Sequence, residues 1–348
     1  MGHAPFDTEE ELMQECAQLK ILVIGCGGGG CNSVTRLMDI GIRGVETVAI
    51  NTDKNHLRTV NAHRRLLIGA TLTRGLGAGG QPDVGEACME NALEPLSAIL
   101  QGTDLTFITV GMGGGTGTGV APVVARQAKR QGSVVISMAT TPFEFERGGR
   151  MDSALKGIRK LNESSDMMLL LDNNRLLGMV GNLPMSQGLA VMDQLISEVI
   201  KGLVEAITLP SLVNLDYADL RTIIRHKGVS TILYGESTDP DGAVRDALSN
   251  PLLEVDFEGA TGALIHVTGG EGLTTKKVTK VLNGISEQLD PRAQVIFGAR
   301  VDPSYRDMIR VMAVITGIRD IPEPDGPRTR GEEELGDTLE ELAYSCRR

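Results

Sequence analysis

The order of apolar runs and helical patterns predicts an α/β protein: a parallel sheet covered on both faces, one long central helix, and a smaller mixed α/β unit beyond it. The run Ile21-Leu22-Val23-Ile24 is apolar throughout and Leu105–Val110 is apolar but for Thr106 and Thr109, as strands buried on both faces are, and helical patterns separate them. Between Ser186 and Ile207, the residues Leu189, Met192, Leu195, Ile196, Val199, Ile200, Leu203 and Val204 populate nearly all sides of a helix. A helix apolar all round belongs in the interior.

In chain order, Thr8 and Glu11 fit a capping box, and Leu12, Cys16 and Leu19 share a helical face, so the N-terminus reads as a short extension that either docks or frays. Strands are expected near 21–24, 47–50, 66–68, 105–110, 134–138 and 167–171, with helices near 33–38, 83–100, 120–131 and 151–162. After Pro210 a second unit places strands near 230–234, 263–268, 294–299 and 308–315, with helices near 242–248 and 275–289. The stretch Pro322-Glu323-Pro324-Asp325-Gly326-Pro327 marks a linker. In the charged tail after it, Leu335, Leu339 and Leu342 share a helical face, fitting either a solvated end or a partner-docking helix. The expected divisions are an extension over 1–18, a nucleotide-binding domain over 19–184, the central helix over 185–208, a C-terminal α/β domain over 209–320, and an acidic linker and tail over 321–348.

Composition narrows the functional classes. The chain has 348 residues, with 45 acidic against 34 basic side chains and a formal charge of −11. That field argues against coating nucleic acid, which calls for a basic stripe, but leaves nucleotides open, since backbone amides and metal ions can bind phosphate. Five scattered cysteines make no disulfide framework, and Cys26 and Cys31, two thiols bracketing a glycine run, read as packing residues. No apolar run approaches the roughly 18 residues of a membrane span, and the acidic N-terminus lacks a signal-peptide pattern. Glycine is abundant at 43 residues, and its clustering without a period points to loops that need special backbone geometry.

Three such clusters stand before helices. Gly25-Cys26-Gly27-Gly28-Gly29-Gly30 matches G-x-G-x-x-G after a strand, and Asp53 follows the next strand where a dinucleotide's ribose would want an acid. Alone, this supports a phosphate at a helix N-terminus. Gly113, Gly114, Gly115, Thr116, Gly117, Thr118 and Gly119 form a second cluster, in which five glycines let several amides converge on one anion and two threonines add hydroxyls. Gly75-Leu76-Gly77-Ala78-Gly79-Gly80-Gln81-Pro82 is the third. Three cradles on one sheet edge imply a triphosphate. None holds a lysine and no G-x-x-x-x-G-K-[ST] occurs, so this is not a P-loop; helix dipoles and a magnesium ion would balance the charge.

The run Gly-Gly-Gly-Thr-Gly-Thr-Gly at 113–119 resembles the signature of the tubulin/FtsZ family, and the other loops fall in that family's order. The resemblance covers roughly Lys20 to Arg319 and includes Gly259–Val267 in the second unit. It implies a Rossmann-like GTPase domain, a long central helix and a mixed α/β C-terminal domain. It also implies GTP and GDP as ligands, with magnesium held mainly through phosphates and water. By resemblance, Gly27, Gly28, Gly29, Gly30, Cys31 and Asn32 form the first phosphate loop, Asn51-Thr52-Asp53 the second, and Gly77-Ala78-Gly79 the loop near the γ-phosphate, with Ala78 and Gly79 its contacts. Glu146 and Arg150 match the ribose-contacting pair; Asn173, the first asparagine of Asp172-Asn173-Asn174-Arg175-Leu176, and Asp193 match the residues that read guanine. A carboxylate facing N1–H and the 2-amino group separates guanine from adenine, which offers no such donor pair. Leu189 stands where many relatives carry an aromatic that stacks on the base.

On spacing alone, the two acids of Asn214-Leu215-Asp216-Tyr217-Ala218-Asp219 read first as caps of the helix that follows; the match to the family's N-x-D-x-A-D catalytic loop reverses that reading. If Asp193 sits near one end of the central helix, about twenty residues at roughly 1.5 Å each put Asp216 and Asp219 some 30 Å away. They then serve a nucleotide bound by the next chain in a head-to-tail stack, and such a contact builds filaments. The resemblance therefore implies a self-assembling cytoplasmic GTPase at the mid-cell division site, with a tail that meets membrane-tether or division proteins. It implies no nucleic acid and no membrane insertion. The short linker is like that of archaeal members. Two rivals remain: a filament GTPase of the same family outside division, and an NAD-dependent oxidoreductase. The latter leaves Gly113–Gly119 unexplained and finds only scattered histidines, at 3, 56, 63, 226 and 266.

Overall fold

In the computed structural model, residues 19–146, 148–174, 185–209, 212–213, 217–224, 229–249 and 260–318 are described. The N-terminal extension, Arg175 and Leu176, Asn214 to Asp216, and the linker and tail lie outside them.

The first domain runs β1 (Ile21–Cys26), α1 (Gly27–Asp39), β2 (Val45–Asn51), α2 (Lys54–Thr59), β3 (Arg64–Leu67), α3 (Ala70–Thr73), α4 (Pro82–Glu90), α5 (Leu93–Leu100), β4 (Leu105–Gly111), α6 (Gly115–Arg130), β5 (Val134–Thr140), α7 (Gly148–Ser164) and β6 (Met167–Leu171). Then come the central helix α8 (Met185–Thr208) and α9 (Tyr217–Ile224). The second domain holds β7 (Val229–Ser237), α10 (Pro240–Leu248), β8 (Gly262–Gly269), α11 (Thr275–Ser286), β9 (Gln294–Val301) and β10 (Ile309–Ile318). The short helices α2 and α3 are not among the expected elements, and two expected helices have other bounds. The helix expected over 83–100 is two helices, because Pro95 has no N–H to donate and its ring would strike the carbonyl of Asn91. The helix expected from Ser33 begins at Gly27, so the glycine run is itself the first turn.

The strands lie in the order β3-β2-β1-β4-β5-β6-β7-β10-β8-β9. From β3 to β6 all neighbours are parallel. A single bridge, Leu169 with Ser230, joins β6 to β7. Beyond it β10 runs antiparallel to both β7 and β8, while β8 and β9 are parallel. Alternation along β1 sends Ile21 and Val23 to one face, packed with α1 and α8, and Leu22 and Ile24 to the other, packed with α4–α7. The C-terminal sheet has its own core against α10 and α11.

Helix α8 joins both cores: Met192, Ile196, Val199, Ile200, Leu203 and Val204 are buried in the cluster that also holds Leu264, Met312 and Val314 of the C-terminal sheet. Each such side chain contributes about 1.5–3 kcal/mol by burial. Gly202 lets β10 come close, since a Cβ there would stand 2.9 Å from Met312 Sδ. The helix is not buried along its whole length, because Leu189 and Val191 in its N-terminal part are exposed. On the side facing the C-terminal sheet, Arg310 lies between the rings of Tyr234 and Tyr305, 5.2 and 4.9 Å from their centroids, and pairs with Glu198 of α8 at 3.2 Å. Two turns on, Arg300 reaches Glu205 at 2.9 Å.

Candidate nucleotide-binding site

Strands β1 and β4 are neighbours, yet the chain leaves them toward opposite sides of the sheet, and ligands bind at the carboxyl ends of strands at such a switch point. Helices α1 and α6 start directly from these two strands. Neither has a capping side chain or an acidic residue in its first turn, so their leading N–H groups lack intrahelical partners. With the positive ends of both helix dipoles beside them, these amides suit an anion. Helix α2 shows the contrast. Asp53, which the spacing made suitable for a dinucleotide's ribose, instead caps that helix, its Oδ1 accepting from Asn55 N at 2.8 Å and His56 N at 3.1 Å.

The glycines of this edge are of two kinds. Some exist because backbones touch. A Cβ on Gly30 would overlap the Thr109 carbonyl oxygen, and one on Gly119 would overlap that of Pro82. One on Gly117 would come within 2.8 Å of Gly111 O, and one on Gly115 within 2.7 Å of Gln81 N. One on Gly27 would stand 2.6 Å from Gly117 N, so contacts of this kind join all three clusters. Gly28 and Gly114 differ: a Cβ on either would have nothing within 4 Å, so their bare backbones border open space at the two helix starts. A phosphate chain fits such a cradle. Ala78 is buried and Gly79 exposed on the loop packed beside it.

The threonine hydroxyls hold the loops. Thr116 Oγ1 lies 2.6 Å from Thr52 Oγ1, and Thr118 Oγ1 accepts from Gly113 N at 2.9 Å. Cys31 turns inward from α1, its thiol directed to the carbonyls of Gly25 and Ile50, and burial pushes it up to about 12. Cys26 is fully buried too, and both sit in the core.

Beside the cradle, a cleft of about 320 Å³ opens between α1, α2 and α8, lined by Asn32, Thr35, Arg36, Thr59 and Asp193 among others. Burial pushes the Asp193 carboxyl up to about 6, against the lowering effects of a 2.6 Å bond from Ser33 Oγ and of the Arg36 guanidinium. Asn32 is fixed by a relay. Asp53 N donates to Asn51 Oδ1, which turns Asn51 Nδ2 toward His56 Nδ1; His56 Nε2 therefore carries the proton and donates to Asn32 Oδ1 at 3.0 Å. Asn173 is buried, and its Oδ1 has no partner among the described residues, an acceptor waiting for a donor. Its loop is set by Asp172, whose Oδ1 accepts from Thr141 Oγ1 and Asn174 N, both at 2.9 Å. Glu146 and Arg150 form an ion pair, and Glu146 also accepts from Phe143 N at 3.0 Å.

Ser33, Asp172 and His56 support this site and were not singled out from sequence. A serine three residues past a glycine run carries no signal until its partner, 160 positions away, is known.

At the other pole lies α9. Tyr217 Oη donates to Asp104 O at 2.7 Å, at the residue before β4 starts, while Gly113 follows where β4 ends. Seven residues of strand separate the two, about 23 Å. Asp219, in the first turn of α9, thus sits at the sheet edge opposite the glycine loops.

Residues 20–181 match the family described as Tubulin/FtsZ family, GTPase domain, and residues 228–319 match the FtsZ family, C-terminal domain. Cell division protein FtsZ 2 of Methanocaldococcus jannaschii is 49% identical over 319 residues, covering 90% of this chain and 84% of that protein. A solved structure of an empty FtsZ dimer from M. jannaschii has a TM-score of 0.85 at 41% identity, covering 94% of this chain and 100% of that one. CetZ2 from Haloferax volcanii, a GTPγS-bound protofilament, has a TM-score of 0.76 at 22% identity, covering 94% of this chain and 99% of that one, a likeness of fold alone. With both domain matches in sequence order and nearly half its residues shared with an archaeal relative, the chain belongs to the tubulin/FtsZ family of GTPases, in its FtsZ branch.

Proposed function

We propose that this protein is a GTP-hydrolysing cytoskeletal subunit that polymerises head to tail for cell division, each active site being shared by two neighbours. The observation that carries the reading is the separation of parts. The phosphate cradle lies at the carboxyl edge of the sheet, and the acid-bearing helix α9 is tied to the opposite edge. One chain cannot close its own site, whereas a second copy stacked on the glycine edge brings the missing acids.

In this assignment, Gly27–Asn32, Ala78, Gly79 and Gly113–Gly119 hold the phosphates, Glu146 and Arg150 the ribose, and Asn173 and Asp193 the guanine. The orphan acceptor on Asn173 and the carboxylate of Asp193 suit guanine's N–H donors. Asp216 and Asp219, with Asn214, orient the attacking water in the neighbour's site, in the positioning manner of phosphoryl transfer. Magnesium, held by phosphate oxygens and water, would offset charge on the phosphates. The domain boundaries follow the same division: binding domain to 184, connecting helix to 208, acid-bearing domain to 320, and a tail suited to tether or division partners. A role in division rather than in another filament is favoured by 49% identity to a protein named for division, against 22% to the CetZ2.

The test is GTP turnover per chain across a range of protein concentrations, with sedimentation in GTP and in GDP from the same tubes. The rate should rise steeply as chains begin to sediment. A rate per chain that stays flat overturns the shared site.

A further inference from the structure

We propose that Ser33 is a positioning residue for base recognition: its hydroxyl holds Asp193 in the orientation and charge state in which that carboxylate reads guanine. The inference rests on the assignment of Asp193 above. Ser33 is itself buried, at 3% exposure, on the face of α1 turned to α8. Its Oγ lies 2.6 Å from Asp193 Oδ1 and 3.3 Å from Gly29 O. It has one proton to give, and the nearer, charged acceptor takes it. The two helices also pack closely one turn further on, where Ser197 Oγ donates to Asp193 O of its own helix at 2.6 Å and stands 3.2 Å from Ser33 O. The spacing between hydroxyl and carboxylate is therefore set by packing. With Oδ1 held by Ser33, Oδ2 is the oxygen left to turn toward the cleft.

The charge state follows from the surroundings. Burial pushes the Asp193 carboxyl up toward neutrality, and the Ser33 bond is the first of the two influences that oppose it. Among the described residues, the charged groups lining the same cleft are Arg36 and Asp39, both on α1. Arg36 lowers the carboxyl from a distance, and its Nε is engaged by Gln194. Glu198, on the helix that carries Asp193, is turned to Tyr234 and Arg310. His56 of α2 stands behind Asn32. No other side chain on the cleft donates to Asp193 among the bonds described. A protonated carboxyl would meet guanine N1–H with a competing donor. Reading the base thus requires the ionised form, which a neutral hydroxyl secures without adding a charge that could attract other anions.

The sign is fixed by linkage. Affinity for guanine nucleotide is full above the carboxyl's pKa in the free protein and falls as pH drops through it. Removing the hydroxyl moves that fall to higher pH. The experiment is calorimetric titration of GDP into the full chain, kept dilute, at pH values from about 5.5 to about 8, with each pH unit of displacement read as about a tenfold change on the falling limb. Ser33→Ala should bind nearly as the parent at the alkaline end and several-fold more weakly near neutrality, with its midpoint displaced upward. Ser33→Cys, whose thiol is a weaker donor, should fall between the two and serves if the alanine variant fails to fold. Asp193→Asn should flatten the profile. Curves for Ser33→Ala and Ser33→Cys that overlay the parent while Asp193→Asn flattens it overturn the role of Ser33 alone. An Asp193→Asn protein with parental affinity and profile overturns the guanine assignment itself.

Discussion

The two edges of the parallel sheet are built from opposite materials. At the carboxyl edge, helices start uncapped from glycines so close that their backbones touch, and the amides point outward. At the amino edge, the parts are side chains: Tyr217 reaches Asp104, Lys20 N donates to Asp104 Oδ2 at 2.9 Å, and α9 carries Asp219. On the proposed assignment, one edge would bind phosphate through backbone amides, which a side-chain change can crowd but not delete. The other presents chemistry that one substitution can delete.

That contrast can be broken most severely at Gly119. An added methyl would strike the Pro82 carbonyl and stand 2.6 Å from Glu86 N, both backbone, so Gly119→Ala should cost about 3 kcal/mol or more and show as a lowered thermal midpoint without ligand. Asp219→Ala addresses the opposite edge: GTP turnover should fall by about 100-fold while GDP affinity, read by calorimetry, holds. Mixing that variant with a chain unable to bind nucleotide should restore part of the turnover, since only a shared site can be assembled from two defective copies. Gly28→Ala separates the two kinds of glycine. With open space around it and helical geometry, alanine should raise stability by up to about 1 kcal/mol and yet weaken GTP binding by about tenfold, because the methyl enters the cradle. A variant that gained stability with unchanged affinity would move the phosphates away from Gly28. The smallest effect belongs to Tyr217→Phe, which should cost about 1 kcal/mol of stability for one lost hydrogen bond, measured by denaturant unfolding.

Much of this was legible in the sequence, for identifiable reasons. Continuous apolar runs gave the buried parallel strands, and glycines placed between strand and helix gave the phosphate edge, since both are local patterns. The helix apolar on nearly all sides was legible too, except at Leu189 and Val191, where periodicity does not reveal that the helix end emerges beside a cleft. Pro95 could have been read as a break and was hidden by Leu93 and Leu96, whose spacing of three suits a helix face. The start of α1 at Gly27 runs against propensity; glycine is a poor helix former, and close packing on β4 is what the sequence does not display. The supports of the site were not visible for a different reason. Ser33 with Asp193, and Tyr217 with Asp104, are partners across more than a hundred positions, and only the fold makes them neighbours.

The placement of α9 at the far edge has an arithmetic consequence. If a site needs a cradle from one chain and acids from the next, an open row of chains always contains one fewer complete site than it has members. A pair has a single working site, and a long row loses almost nothing. At one terminus a nucleotide would lie uncovered and could exchange; at the other, a set of acids would have no nucleotide to act on. The row is therefore polar in its chemistry as well as its shape, and its length tells on its average rate only while it is short.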